Sequence, residues 1–351
     1  MSVTVDLARL LALVDHIAGR KIVVAGDLLA DEFIYGEIAR VSREAPVLIL
    51  NYDSTEVVPG GAGNAAANVA ALGGAARAMG VAGRDETGRR LLSVLKQRHV
   101  DVGSVLRPRS YRTPTKTRIL AGGIHSAKQQ VVRIDRAAAS SVDAKTRRAF
   151  DSNVLRAVRG ADALLISDYG SSLVTPAVLA AAARAKRTRS FRLQAEFPVV
   201  VDSRYALLTF RGMTACTPNE SEVEQALGVK IGDDPKALER AGRALLRRTQ
   251  AKAVLITRGS RGMALFEPSR PTIHIPIVGS DQIADVTGAG DTVIATFTLA
   301  LSAGATFHEA ASLANYAGGI VVMKRGTATV SASELRYALT GGAIGRMLND
   351  E

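Results

Sequence analysis

The sequence predicts an α/β fold: a mainly parallel β-sheet with helices on both faces, carrying a small β-sheet lid. Three observations support this. Short apolar runs that end in polar or glycine residues alternate with stretches of helical period, which is the pattern of βαβ units. Two further stretches break that alternation with β-branched and turn residues. Finally, 47% hydrophobic and 22% charged residues in a chain of 351 provide a sizeable core and are unlike the composition of a disordered chain.

Taken in order, residues 1–21 (MSVTVDLARLLALVDHIAGRK) suggest a short amphipathic helix, without the basic start, apolar core and small-residue cleavage site of a secretion signal. Strands are expected at 21–27 (KIVVAGD), 163–168 (ALLISD), 197–202 (FPVVVD), 213–219 (MTACTPN) and 253–259 (AVLITRG). Helices are expected between most of them, for example over 144–160 and 235–250. Residues 31–58 and 112–135 are the two exceptions, expected as hairpin-like lid segments. No Ser/Gly- or Pro-rich linker sets them apart, so a single domain over 1–351 with an inserted lid is expected. In a parallel sheet, ligands bind beyond the carboxyl ends of the strands, so the polar residues closing each run are the first candidates for a site.

Composition excludes several function classes. A lone Cys216 rules out an internal disulfide, a Cys-based zinc finger and a CxxC redox centre, and fits a reducing cytoplasm. No run of eighteen apolar residues is present, no HExxH pattern joins the five histidines, and neither GxxxxGK[ST] nor GxSxG occurs. The net charge of +12 is uneven: residues 84–192 carry +15, residues 1–83 carry −3 and the remainder is neutral. Such an excess invites a nucleic-acid partner, but only 4% of residues are aromatic and no RNA-binding motif appears. Arg-rich stretches such as 187–192 (RTRSFR) are more simply a solvated surface.

The strongest candidate site is residues 283–301 (IADVTGAGDTVIATFTLAL), where Gly288, Ala289 and Gly290 precede Asp291 and an apolar helix. A glycine turn opening a helix aims unpaired N–H groups and the positive end of the helix dipole at one spot, which suits phosphate. A carboxylate beside it can deprotonate a hydroxyl attacking phosphorus; a helix cap behind a structural turn is the other reading. In residues 57–74, Gly60 and Gly61 lead into an Ala-rich helix that carries Asn64 and Asn68 four residues apart, suited to sugar hydroxyls or to a close helix–sheet contact with Asn64 as cap. Asp27 closes the first strand and can accept from adjacent hydroxyls or cap a turn. Glu222, after Asn219, suits a magnesium ion held through water or a capping box. Residues 257–262 (TRGSRG) form a tight turn between strands, beside a nucleotide or as a plain hairpin.

Residues 285–291 (DVTGAGD), 59–68 (PGGAGNAAAN), 217–222 (TPNESE), 257–262 (TRGSRG) and 23–27 (VVAGD) occur in the order found in ribokinase-like, PfkB-type sugar kinases, which the chain resembles over almost its whole length. Within them it looks most like heptose 7-phosphate kinases, through residues 35–50, 115–120, 129–135, 167–170 and 314–331. The resemblance implies a three-layer ribokinase-like sandwich with a β-sheet lid that often forms a homodimer interface. It implies ATP-dependent phosphorylation of the anomeric hydroxyl of D-glycero-D-manno-heptose 7-phosphate to the 1,7-bisphosphate, toward ADP-heptose and the lipopolysaccharide core. Asp291 matches the catalytic base, and the amides from Gly288 through Ala289 and Gly290 match its anion hole. Asp27, Gly60, Gly61 and Asn64 match sugar contacts. Asn219, Glu220, Ser221 and Glu222 match the nucleotide and magnesium segment; Thr257, Gly259 and Gly262 the nucleotide loop; and Asn315 a position near adenine. Asp285 and Thr287 match a potassium site that some members use. For the distal phosphate, Arg43, Lys116, Arg118 and Arg133 in the lid segments are the candidate cations.

Heptose kinases often occur fused to a nucleotidyltransferase, and that second activity is expected to lie outside this chain. Two departures bear on which sugar binds. Ser171 and Ser172 stand where similar kinases carry Lys-Gly, and Ser203-Arg204 where they carry Pro-Lys. Another PfkB-type sugar, sugar-phosphate or nucleoside kinase is the alternative reading. A kinase-fold protein that binds nucleic acid is the alternative from another class.

Overall fold

The computed structural model describes residues 5–122, 128–137, 142–187, 197–278, 285–324 and 326–342. The Arg-rich stretch 188–192, residues 123–127 of the second lid segment and residues 283–284 before the glycine turn lie outside them. In chain order the first half contains α1 (Leu7–Ile17), β1 (Lys21–Gly26), β2 (Leu28–Val41), β3 (Leu48–Gly61), α2 (Ala62–Ala71), β4 (Ala75–Met79), α3 (Glu86–Gln97), β5 (Thr115–Gly122), β6 (Gln129–Arg136) and α4 (Ala144–Ala157). There follow β7 (Ala163–Asp168), α5 (Pro176–Arg187), β8 (Val199–Ser203), β9 (Ala215–Cys216), α6 (Glu220–Leu227), α7 (Pro235–Thr249), β10 (Ala253–Thr257), β11 (Met263–Phe266), β12 (Ile273–Ile275), α8 (Ala289–Ser302), α9 (Phe307–Val321) and α10 (Ala332–Leu339).

The main sheet has eight strands in the order β12-β11-β10-β9-β8-β7-β1-β4. It is parallel except at the β10–β11 and β11–β12 pairs. Alternation along each strand divides the core into two layers. Ile22, Val24, Leu165, Val200 and Leu255 pack into the layer that holds α1, α2, α8, α9 and α10. Val23, Leu164, Ile166, Val201 and Val254 pack into the layer that holds α4, α5 and α7. The ribokinase-like three-layer arrangement expected from the sequence is therefore present, and the strands from β7 to β10 fall where the apolar runs placed them. In the run 213–219 only Ala215–Cys216 is strand.

The second sheet is the lid, in the order β3-β2-β5-β6. The first lid segment is a hairpin reaching further each way than 31–58, from Leu28 to Gly61. Parallel pairing of β2 with β5 joins it to the second segment. Successive residues of a strand point to opposite faces. The rows Asp31–Lys116–Asp135 and Phe33–Arg118–Arg133 therefore share one face of the lid, while Glu32–Thr117–Ile134 and Ile34–Ile119–Val132 share the other. The first pair of rows faces the main sheet's carboxyl end, where Asp31, Lys116, Arg118 and Arg133 line a cleft. No helix among the described residues is long and apolar enough to cross a membrane.

Candidate active site

A cleft of about 370 Å³ opens beyond the carboxyl ends of the parallel strands, beneath the lid. Tyr169 follows β7, Asp202 and Arg204 stand at the end of β8, Thr217 follows β9 and Thr257 closes β10, and all of them line it. Gly288, Gly290 and Asp291 come from the start of α8.

Helix α8 begins where it does because Gly288, at φ +81°, takes the left-handed conformation that an L side chain resists. No side chain among the described residues caps this terminus, so the positive end of the helix dipole faces the cleft, with Asp291 in the first turn beside it. Every residue from Asp291 to Ala300 is buried, as an apolar helix of this kind requires. Asp291 Oδ2 accepts a 2.9 Å hydrogen bond from Asn64 Nδ2, and Oδ1 accepts one of 3.3 Å from the Tyr169 hydroxyl. Burial pushes the Asp291 carboxyl up to about 7, with the Asn64 and Tyr169 bonds pulling the other way. A carboxyl at that value is suited to take a proton near neutrality.

The two walls of the cleft differ in charge. Asp202 and Glu222 lie along the side formed by the main sheet. Burial, followed by the charges of Glu222, Asp291 and Asp168, raises Asp202 well above the usual carboxylate range, against Arg204. Burial also raises Glu222, opposed by hydrogen bonds with Asn219 and by Arg204. The buried Thr217 hydroxyl beside them has no hydrogen-bond partner among the described residues. On the lid side stand Lys116, Arg118 and Arg133. Arg118 pairs with Asp31 at 2.6 Å and Arg133 with Asp135 at 2.6 Å. Lys116 instead stacks its ammonium 5.5 Å from the Tyr169 ring, and Arg204 lies over Tyr205. Burial lowers Lys116; attraction to Asp31 raises it, while repulsion from Arg204, Arg133 and Arg118 lowers it further.

Several residues expected at ligands make hydrogen bonds or ion pairs within the protein. The Asn64 side chain, fully buried, is turned onto Asp291 rather than into the cleft, and Asn68 Nδ2 fixes it at 3.2 Å. Asp27 accepts from the N–H groups of Tyr169 at 2.7 Å and Ser171 at 3.2 Å and from the Ser171 hydroxyl, so it holds the turn after β7. Burial raises its carboxyl despite those bonds. Gly61 lines the cleft, whereas Gly60 makes room for the Asp31 carboxylate.

Asn219 and Glu222 line the cleft while forming the reciprocal capping box of α6, with both bonds at 2.9 Å. Glu220 pairs with Arg258 at 2.6 Å and with Arg261, and Ser221 is exposed outside the cleft. Of the turn 257–262, Thr257 reaches the cleft; Gly259 is exposed and Gly262 packs against the backbone at the end of β12. Asn315 is buried and donates to the Pro276 carbonyl at 2.7 Å. Asp285 accepts from the N–H groups of Thr287 at 2.8 Å and Gly326 at 3.2 Å, which braces the loop leading to Gly288. Arg43 sits exposed near the tip of the β2–β3 hairpin, outside the cleft, because the two strands carry the tip away from it. Asp31, Asp168, Tyr169, Asp202, Thr217 and Thr327 line the cleft without having been singled out as site residues, and Arg204, which stands where similar kinases carry Lys, lines it too. Asp168 and Asp202 each close an apolar run, the signal that could have found them.

The family model of pfkB family carbohydrate kinases matches residues 20–334. The chain is similar to the bifunctional protein HldE of Geobacter metallireducens, 41% identical over 313 residues, covering 89% of this chain and 61% of that protein. It is 38% identical over 323 residues to the bifunctional protein HldE of Geobacter sulfurreducens, covering 91% of this chain and 63% of that protein. The chain therefore spans less than two thirds of the length of these relatives. Among solved structures, Arabidopsis thaliana ribokinase complexed with ribose and ATP superposes with a TM-score of 0.69 at 21% identity, covering 92% of this chain and 99% of that one. Escherichia coli phosphofructokinase-2 in complex with potassium gives 0.70 at 20% identity over the same shares.

Proposed function

The chain belongs to the pfkB family of carbohydrate kinases and is a phosphotransferase acting on a sugar hydroxyl, and from that premise we propose that it transfers the γ-phosphoryl group of ATP to the anomeric hydroxyl of D-glycero-D-manno-heptose 7-phosphate. The product is the 1,7-bisphosphate, on the way to ADP-heptose. The observation that carries this reading is Asp291 at an uncapped helix start, between a carboxylate-lined wall and a lid bearing three cations.

In the proposed reaction Asp291 takes the proton of the sugar hydroxyl as its oxygen attacks the γ-phosphorus. The N–H groups at the start of α8 face the charge that develops on the transferring group. Asn219, Glu222 and Thr257 line the nucleotide side. Asp202 and Glu222, with the unpartnered Thr217 hydroxyl, are a donor set that fits magnesium, which takes oxygen ligands and is commonly held through one or two carboxylates plus phosphates and water. Among the described residues no group of three or more His, Cys, Asp or Glu is placed to hold a metal without such help. When bound with the nucleotide, magnesium neutralises phosphate charge. Asp285 and Thr287 serve the loop before Gly288, where Asp285 accepts from the N–H groups of Thr287 and Gly326.

A phosphorylated sugar matches the cations of the lid. Arg118 and Arg133 are already paired, whereas Lys116 and Arg204 face the cleft over the rings of Tyr169 and Tyr205. A charge-assisted contact to phosphate is worth roughly 1.5–3 kcal/mol. Lys116→Met is therefore expected to raise KM for the sugar phosphate about ten- to hundredfold, with the KM for ATP little changed. A coupled assay across a sugar panel checks both this and the substrate. A strong preference for unphosphorylated ribose or fructose over heptose 7-phosphate would overturn the substrate assignment.

The proposal includes a single kinase domain that dimerises through the outer face of the lid, where Val132 and Ile134 are 44% and 47% exposed beside Ile34 and Ile119. Ile134→Glu is expected to convert a dimer to a monomer in sedimentation velocity, and a wild-type protein that sediments as a monomer at micromolar concentration would contradict it.

A further inference from the structure

Tyr169 connects four parts of the site. Its backbone N–H donates to Asp27, and the next residue's N–H donates to Asp168 Oδ1 at 3.0 Å, so one carboxylate just past β1 and one at the end of β7 fix the turn. Gly170 at φ +93° and Ser172 at φ +60° hold that turn in a conformation that directs Tyr169 into the cleft. Its ring packs against Gly61, where an added Cβ would stand 3.3 Å from Cδ2, and lies under the Lys116 ammonium of the lid. Its hydroxyl meets Asp291 Oδ1, the oxygen that Asn64 leaves free.

We propose that Tyr169 is a positioning residue for the base, its hydroxyl holding the Asp291 carboxylate so that one oxygen faces the sugar hydroxyl. The proposal rests on Asp291 being the base. A carboxylate gripped by one donor can swing about its χ2 axis, whereas donors on both oxygens define its plane. In the transfer the sugar O–H bond breaks and its proton passes to Asp291, the sugar oxygen bonds to the γ-phosphorus, and the bridging P–O bond breaks to release ADP. Tyr169 keeps its own proton throughout. The charge of Asp291, followed by burial, raises the phenol well above its usual range, so it remains a donor at any working pH.

Donation to the carboxylate favours its charged form, so removing the donor raises the pH at which the base becomes available. Tyr169→Phe keeps the ring against Gly61 and Lys116 and deletes only the hydroxyl. With fold checked by circular dichroism, the expected result is a fall in kcat of about five- to twentyfold and an acid limb of kcat/KM moved up by about 0.5–1 pH unit, from the usual worth of one hydrogen bond. KM for ATP should stay within about twofold of wild type. An unmoved acid limb, with the whole loss in sugar KM or no loss at all, overturns the positioning role and leaves Asp291 as base. Asp291→Asn run in parallel separates the two claims, because near-normal turnover in that variant overturns both the base and the residue said to position it.

Discussion

Asp291→Asn is expected to lose about a hundred- to ten-thousandfold of its turnover, the usual contribution of a general base, while binding ATP largely as before. The same variant is expected to be more stable than the wild type at pH 8. Burial lifts the Asp291 carboxyl to about 7 in the folded protein, against about 3.9 in an unfolded chain. A group with a raised folded pKa contributes stability that is fully present below the unfolded value and lost as pH rises through the folded one. Wild-type stability should therefore decline from about pH 4 to about pH 7, by up to about 4 kcal/mol for a shift of this size. Asparagine has no charge to bury, so its variant escapes that decline. Thermal melts at pH 5 and pH 8 beside a turnover assay measure both effects. A variant that melts below the wild type at pH 8 would contradict the buried, charge-bearing base.

Gly288→Ala is the second large effect, and it acts on the same carboxylate from outside it. A Cβ on Gly288 would stand 2.6 Å from Asn64 Nδ2 and 3.1 Å from Thr327 Cγ2, at a φ of +81°. The left-handed conformation alone costs an L residue roughly 1–2 kcal/mol. Relieving the contact displaces Asn64 from its bond to Asp291, so turnover should fall about tenfold or more. Gly290→Ala is the matched control for folding, since its Cβ meets nothing within 4 Å and its φ is ordinary. Its stability should lie within about 0.5 kcal/mol of wild type. Equal loss of stability in the two variants, by chemical denaturation, would mean that Gly288 is not constrained by Asn64.

Much of the fold was legible in the sequence because its signals are local. The run after Asp291 is apolar on every side and becomes the buried helix α8, and the strands recur as short apolar runs closed by polar residues. The lid was visible as a break in that rhythm, although the β2–β5 pairing that unites it joins residues about 85 apart and leaves no local trace. The site was legible where chemistry and backbone coincide, at Gly288 and Asp291. It was not legible where a side chain's partner comes from distant sequence. Asn64 and Asn68 share a helix face, but that the face meets α8 depends on packing across 227 residues. Glu220 looked available until Arg258 and Arg261 from the next turn reached it. Tyr169 stood in a motif that marked a resemblance and had no assigned job, because its role appears only when β7 and α8 converge.

The basic middle of the chain has a partial account in the same terms. Arg89 and Arg90 pair with Glu86, Arg118 with Asp31, Arg133 with Asp135 and Arg136 with Glu32. Arg118 and Arg133, together with Lys116, bring positive charge to the roof of a cleft whose other wall is acidic. That asymmetry suits an anionic sugar on one side and a metal-bound nucleotide on the other.

Phosphorus NMR of the product formed from ATP and D-glycero-D-manno-heptose 7-phosphate tests the central claim most directly. The account predicts a new anomeric phosphate resonance coupled to H1, with the 7-phosphate signal retained and ADP formed in equal amount. Phosphate appearing on another carbon, or ADP and inorganic phosphate with no new ester, would contradict it.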